Sequence, residues 1–155
     1  MNVELLQQHP LCQRLSPSQV ARFAQVGELE LFQAGEDIVS EGTLGDSFYL
    51  ILSGQATVHT ARVSLPLATL KAGEFFGEMS LLEPVVRSAT VRAAEMSELF
   101  RVPNFNLTNF LGDDSGALGL LLVAMVRALS ERLRRTNQMV GSMEQLSVLL
   151  AGSLV

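Results

Sequence analysis

The chain has 155 residues, of which 48% are hydrophobic and 17% charged, enough for one ordinary core and too few for two. A net charge of -5 argues against a surface that holds nucleic acid by neutralising phosphates, which shows as a basic stripe. The lone Cys12 excludes an internal disulfide, a cysteine-ligated zinc and a cysteine-held iron–sulfur cluster within one chain.

Cys12 reads as a small buried hydrophobe beside N-terminal helices, and a reducing cytoplasm is the expected compartment. The opening MNVELLQQHPLC has no basic segment ahead of an apolar run. No stretch approaches the ~18 unbroken apolar residues of a membrane span. His9 and His59 lie far apart without metal-like companions and read as ordinary surface or strand residues.

Residues 1–27 read as short helices. VELLQQH, residues 3–9, ends at Pro10, and Ser16-Pro17-Ser18-Gln19 supplies a serine cap, a proline in first position and a glutamine that closes a capping box. Val20, Phe23 and Ala24 follow at helical spacing until Gly27 changes the period.

From residue 28 to 102 the pattern is short strands. Turn signals at Ala34-Gly35, Gly42, Gly45-Asp46, Ser53-Gly54 and Ala72-Gly73 are spaced as an all-β barrel or jelly roll requires. Gln55 to Thr60 and Val63 to Leu70 form a hairpin around Ala61-Arg62, and Pro66 places the return strand at a sheet edge.

Within this region, residues 73–93 read GEFFGEMSLLEPVVRSATVRA. Gly77 stands where backbone must approach closely, a short helical turn is expected over Met79 to Leu82, and Arg87 faces back. Exposed amides at a helix start plus one guanidinium suit a phosphate. Glu78 beside such a site only accepts hydrogen bonds. It wants a donor, and a sugar hydroxyl on the same ligand supplies one, so the expected ligand carries phosphate and ribose.

After Pro103 the chain turns helical over residues 104–150. Asn104 to Leu111 forms one segment, Gly112-Asp113-Asp114-Ser115-Gly116 is a break with capping residues, and a long helix runs from Ala117 to about Val140, reaching as far as Leu150. Leu122, Leu129, Thr136, Met143 and Leu150 recur every seventh residue, with Met125, Val126, Leu133, Met139, Val140 and Leu146 on the adjacent face. Such a seam predicts a parallel homodimer through residues 117–150.

Gly77-Glu78-Met79-Ser80-Leu81-Leu82 followed by Arg87-Ser88-Ala89-Thr90-Val91 resembles the phosphate-binding cassette of cyclic nucleotide-binding domains, the fold of cyclic-AMP receptor proteins, kinase regulatory subunits and nucleotide-gated channels. The run FQAGEDIVSEGTLGDSFYLILSGQATV is similar to the family's barrel. Val86 departs from the pattern, since many members carry proline before the arginine. The resemblance implies that Glu78 takes the ribose 2′-hydroxyl and that Arg87, with the hydroxyl and amide of Ser88, holds the cyclic phosphate. Gly77, Met79, Ser80 and Ala89 complete the cassette.

Residues 132–141, RLRRTNQMVG, resemble the long helix of the bacterial cyclic-AMP receptor branch. That likeness gives Thr136 the adenine amino group, Asn137 the nucleotide of the partner subunit, and Arg132 the ribose and Glu78. Val58 and Leu67 form the apolar wall for the base. The implied fold is α+β: N-terminal helices, a β-barrel or jelly roll (double-stranded β-helix), and a long C-terminal dimerisation helix, all in one domain.

The implied function is a non-catalytic homodimeric sensor for cyclic AMP, with cyclic GMP the second candidate, acting on an unnamed downstream protein. No nucleophile, carboxylate pair or metal spacing argues for an enzyme. Other readings stand beside it: an Arg87–Glu78 ion pair in an empty barrel, Thr136 as a tolerated polar residue, and Arg132, Arg134 and Arg135 as a solvated face. At the level of the whole chain the rivals are three. A transcription regulator lacks a recognition helix after Leu150; a ligand-free interaction module would use the apolar tail Met143 to Val155; a haem or iron–sulfur sensor finds too few ligands.

Overall fold

The structure is a computed structural model that describes residues 3–81 and 84–152. Leu82 at the end of the expected cassette turn, and Ser153 to Val155 of the apolar tail, lie outside the described residues. Two short helices, α1 (Val3–Gln8) and α2 (Pro17–Phe23), precede eight strands: β1 (Glu28–Phe32), β2 (Asp37–Val39), β3 (Ser47–Ser53), β4 (Gln55–Thr60), β5 (Val63–Lys71), β6 (Phe75–Phe76), β7 (Thr90–Ala93) and β8 (Ser97–Pro103). Helices α3 (Asn104–Asp113) and α4 (Ser115–Gly152) follow.

All pairings are antiparallel, in two four-stranded sheets of order β1-β8-β3-β6 and β2-β7-β4-β5. The α+β class and jelly-roll layout expected from the sequence hold, although the two sheets do not close into a continuous barrel. The β4–β5 hairpin turns at Ala61-Arg62, and β5, carrying Pro66, is an edge strand.

Strand β3 of the first sheet is buried on both faces from Ser47 to Ile51, which explains why it reads as an unbroken apolar run instead of an alternating one. Successive side chains point to opposite faces. Phe48 and Leu50 enter a core shared with Leu6, Val20, Phe23, Phe100, Leu107 and Phe110, while Tyr49 and Ile51 enter a second core between the sheets with Ile38, Phe76, Val91 and Leu99. Phe75 and Phe76 divide in the same way. The helices therefore cover the outer face of the first sheet.

Local signals set the helix ends. Ser16 accepts from the amide of Gln19 and the Gln19 side chain accepts from the Ser16 amide, a complete capping box. Asp114 alone separates α3 from α4; its carboxylate accepts the amide of Ala117 at 2.8 Å and pairs with Arg22 at 3.1 Å. Helix α4 has 38 residues, a rod of ~57 Å. Its first half packs on the core through Ala117 and Leu121, whereas every residue from Leu133 to Leu150 is exposed.

His9 is not a surface residue. It is 3% exposed, and the amide of Leu11 donates to its Nδ1 at 3.2 Å, so Nε2 carries the proton and donates to the carbonyl of Glu74, also at 3.2 Å. Burial depresses its pKa to about 4. Cys12 is fully buried, and the same cause raises its thiol to about 12.

The His9 shift has a stability consequence with a definite sign. The unfolded chain binds this proton below its ordinary value of 6.5 and the folded one only near 4, so the contribution is complete above pH 6.5 and is lost as pH falls toward 4. Urea unfolding of His9→Gln and the parent at pH 7 and pH 4.5 should show a smaller acid loss in the variant, by up to ~3 kcal/mol. Equal losses would place the imidazole in contact with solvent.

Candidate functional site

A turn of 3₁₀ helix, Glu78–Ser80, follows β6, with Gly77 at its N-cap in the left-handed region at φ 87°. The expected turn over Met79 to Leu82 thus starts one residue earlier, and Leu81 caps it. A side chain at Gly77 is excluded twice. Its backbone conformation is one that L residues avoid, and a Cβ would lie 2.7 Å from the Ser47 carbonyl oxygen and 2.9 Å from Nη1 of Arg87.

Arg87 is held by backbone instead of by an acid. Its amide donates to the Thr43 carbonyl at 2.7 Å, its own carbonyl accepts from Gly42 at 2.9 Å, and Val86 bridges Leu44. The guanidinium donates through Nη2 to the Ser47 carbonyl at 2.6 Å and lies 6.0 Å from the Tyr49 ring centroid. Among the described residues no carboxylate pairs with it. Gly45 is also part of this cradle, since a Cβ there would sit 3.1 Å from Cζ of Arg87.

Glu78 turns to the long helix. Its Oε1 lies 3.6 Å from Nη1 of Arg132, and Arg132 donates through Nη2 to the Phe75 carbonyl at 2.7 Å while its guanidinium covers the Phe75 ring at 5.2 Å. An ion pair between Arg87 and Glu78 does not form. The two acid–base groups face a common cavity of about 260 Å³ lined by Gly77, Glu78, Met79, Ser80, Arg87, Ser88, Ala89 and Arg132, with Val58, Ala68 and Leu70 as an apolar wall.

Three residues singled out from the sequence lie outside that lining. Leu67 is 47% exposed, and its neighbours Ala68 and Leu70 take the wall. The reason is a register irregularity in β5. Thr60 opposes Val63 at the turn, but Val58 opposes Ala68, an odd shift that flips Leu67 to the outer face. Thr136 and Asn137 are exposed on the projecting part of α4, where the Thr136 hydroxyl donates to the Arg132 carbonyl at 3.0 Å. Arg132 is the last α4 residue in the lining.

Other residues at the site carry no sequence signal of their own. Tyr49 and the Ser47 carbonyl hold Arg87, and Asn104 at the start of α3 donates to Ser80 O and Oγ at 2.9 and 3.2 Å, fixing the cassette turn from behind. Gly45 was legible only as a turn residue. A larger apolar groove of about 550 Å³ lies behind the turn, between α3, α4 and Leu81. Among the described residues its lining has no basic side chain to offer an anion.

A jelly-roll wall that presents a guanidinium with no carboxylate partner among the described residues, glycines that admit it and a carboxylate nearby has the chemistry to hold an anion beside a hydroxyl. Residues 29–114 match the family model of the cyclic nucleotide-binding domain, and the chain belongs to that family. It is 36% identical over 107 residues to the cAMP-dependent protein kinase regulatory subunit of Emericella nidulans, covering 69% of this chain and 26% of that protein. It is 38% identical over 97 residues to the cGMP-dependent protein kinase, isozyme 1, of Drosophila melanogaster, covering 59% of this chain and 13% of that one. The catabolite activator protein of Thermus thermophilus superposes with a TM-score of 0.71 at 29% identity, over 87% of this chain and 63% of that structure. The chain therefore spans about a quarter, or less, of the kinase relatives it matches.

Two glycines separate backbone strain from contact at the cradle. Gly35 has φ +89° with open space where a Cβ would go, while Gly77 has φ +87° and the contacts given above. Gly35→Ala should cost ~1–2 kcal/mol in urea unfolding, for strain alone. Gly77→Ala should cost about 1 kcal/mol or more beyond that, because Arg87 and the Ser47 carbonyl must move. Equal costs would show that the cradle yields freely.

Proposed function

We propose that the chain is a non-catalytic sensor domain that binds cyclic AMP, acts as a homodimer and signals through α4 to a downstream protein. The observation that carries the reading is Arg87. A guanidinium fixed at a cavity wall with no carboxylate partner among the described residues is a site waiting for an anion, and planar N–H donors suit phosphate oxygens.

In this reading Arg87 and Ser88 hold the cyclic phosphate, with Gly77, Met79, Ser80 and Ala89 shaping the cassette around it. Glu78 accepts from the ribose hydroxyl, and Val58, Ala68 and Leu70 meet the base. Arg132 closes the sugar side through Glu78. Thr136 lies one helical turn beyond Arg132, so a movement of α4 toward the cassette brings its hydroxyl over the base and favours adenine over guanine. Asn137 then faces the partner subunit's site. Ligand acts only through its different affinity for the two helix positions.

The dimer follows from α4. Leu133, Met139, Val140, Met143 and Leu146 are each about 60% exposed or more on a helix segment whose residues are all exposed from Leu133 to Leu150. An apolar stripe on a projecting helix finds its cover in a twin stripe.

Calorimetry with cyclic AMP, cyclic GMP and 5′-AMP tests the ligand. Saturable binding is expected for cyclic AMP, weaker binding for cyclic GMP and none for 5′-AMP; the absence of saturation by either cyclic nucleotide would remove the reading. Arg87→Ala should weaken cyclic AMP by ~2–3 kcal/mol, roughly thirty- to a hundredfold in Kd. Sedimentation tests the assembly: the parent should run as a dimer and Leu133→Glu/Val140→Glu as a folded monomer, whereas a parent that is monomeric at all concentrations refutes the helix seam.

A further inference from the structure

Two asparagines near the start of α3 donate through Nδ2 to main-chain carbonyls, and they hold different parts of the fold. Asn106 reaches the carbonyl of Val26 at 2.9 Å, in the connection between α2 and β1. Asn104 reaches Ser80, in the cassette turn, at 2.9 Å to the carbonyl and 3.2 Å to Oγ. A carbonyl only accepts, so the Ser80 contact fixes which end of the Asn104 amide is nitrogen.

The Asn104 side chain does not serve its own helix. Pro103 is the N-cap of α3, and no side chain caps that end. Oδ1 of Asn104 is buried with no hydrogen-bond partner among the described residues, which costs stability. The bonds of this residue run instead to the two segments that flank Arg87. Its amide donates to the carbonyl of Asp46 at 2.9 Å, one residue before the Ser47 carbonyl that receives the guanidinium. Its Nδ2 holds Ser80, and Ser80 Oγ donates in turn to the Gly77 carbonyl at 2.9 Å. The two segments close on each other around the arginine: a Cβ at Gly45 would lie 3.0 Å from Cβ of Ser80 as well as 3.1 Å from Cζ of Arg87.

We infer that Asn104 is a positioning residue for anion binding: it clamps the start of β3 to the cassette turn and so sets the separation of the two walls that hold Arg87. It does not line the cavity itself and acts through the guanidinium. The main-chain arm to Asp46 is open to any residue but proline at this position, whereas the arm to Ser80 needs a side-chain donor of this reach. Removing the side chain therefore frees the cassette wall alone. Asp46 and Ser47 stay in place through the remaining amide and the β3–β8 ladder, where Ser47 opposes Pro103. Ser80 and Gly77 lose their outer tie, and the guanidinium gains room to leave the Ser47 carbonyl.

The inference deepens the nucleotide reading and rests on it for affinity, so the test includes a readout that needs no ligand. Alanine is the strongest helix former, which keeps α3 intact in Asn104→Ala. Asn106→Ala is the matched control, because it loses an asparagine–carbonyl bond in the same helix, and Ser80→Ala, which removes only the link to Gly77, is the second variant. NMR of the unliganded full chain follows the Arg87 guanidinium, assigned by its loss in Arg87→Lys. Its signals should shift or broaden in Asn104→Ala, do so in part in Ser80→Ala, and match the parent in Asn106→Ala. Cyclic AMP should bind Asn104→Ala about three- to tenfold more weakly than the parent, and Asn106→Ala within about twofold of it. In an Arg87→Ala background the Asn104→Ala loss should fall below about twofold, since nothing is left to position. Three results would each overturn the inference: unchanged Arg87 signals in Asn104→Ala, equal affinity losses in Asn104→Ala and Asn106→Ala, or an undiminished Asn104→Ala loss without Arg87. A parent that binds no cyclic nucleotide would sink the nucleotide reading alone, and the Arg87 signals would still decide the role of Asn104.

Discussion

A guanidinium held against a carbonyl is the contact on which the site depends. Arg87 donates to Ser47 O at 2.6 Å, so its position is set by the backbone of β3, the strand buried on both faces at the centre of the first sheet. A carboxylate in the same place would have neutralised it and left the cavity without a charge to offer. The carbonyl orients the group while keeping its full charge, and it leaves other N–H donors of the fork free for a ligand. Glycines at 45 and 77 are the steric condition for this, since a Cβ at either would press on the guanidinium.

The second constraint is the contact between Arg132 and Glu78 at 3.6 Å. It is partly exposed and so contributes modestly to stability, but it is where the long helix meets the cassette. Beyond Arg132 every helix residue as far as Leu150 is exposed. One ion pair, backed by the Phe75 carbonyl and ring, thus marks the boundary between a helix anchored on the core and a helix free to find another partner. A ribose hydroxyl that donates to Glu78 would alter this boundary contact directly, because the same carboxylate serves both.

What the sequence disclosed tracks how local each determinant is. The Ser16 capping box, the hairpin turn at Ala61-Arg62 and Pro66 on an edge strand depend on a few adjacent residues, and the structure has them where the sequence puts them, whereas the break expected over residues 112–116 narrows to Asp114. The cassette was legible through the spacing of Gly77, Glu78 and Arg87. Its turn starts one residue earlier than expected, at Glu78, directly after the left-handed Gly77. His9 was misread because nothing in HPLC announces that its ring is enclosed by the β5–β6 turn 65 residues away. The partners of Arg87 were invisible for a related reason: a main-chain carbonyl and a tyrosine on a core strand look like packing.

Leu67 shows how a sound local reading fails at distance. A two-residue turn at Ala61-Arg62 opposes Thr60 to Val63, and counting onward in pairs puts Leu67 on the face of Val58. The structure opposes Val58 to Ala68 instead, because extra residues are absorbed within β5 near Pro66, which cannot donate to the ladder. Side-chain direction alternates with every residue, so an odd slip exchanges inside for outside over the rest of the strand. The smaller Ala68 then faces the cavity in place of leucine. Leu65 and Leu67 are instead exposed on the edge strand, at 71% and 47%.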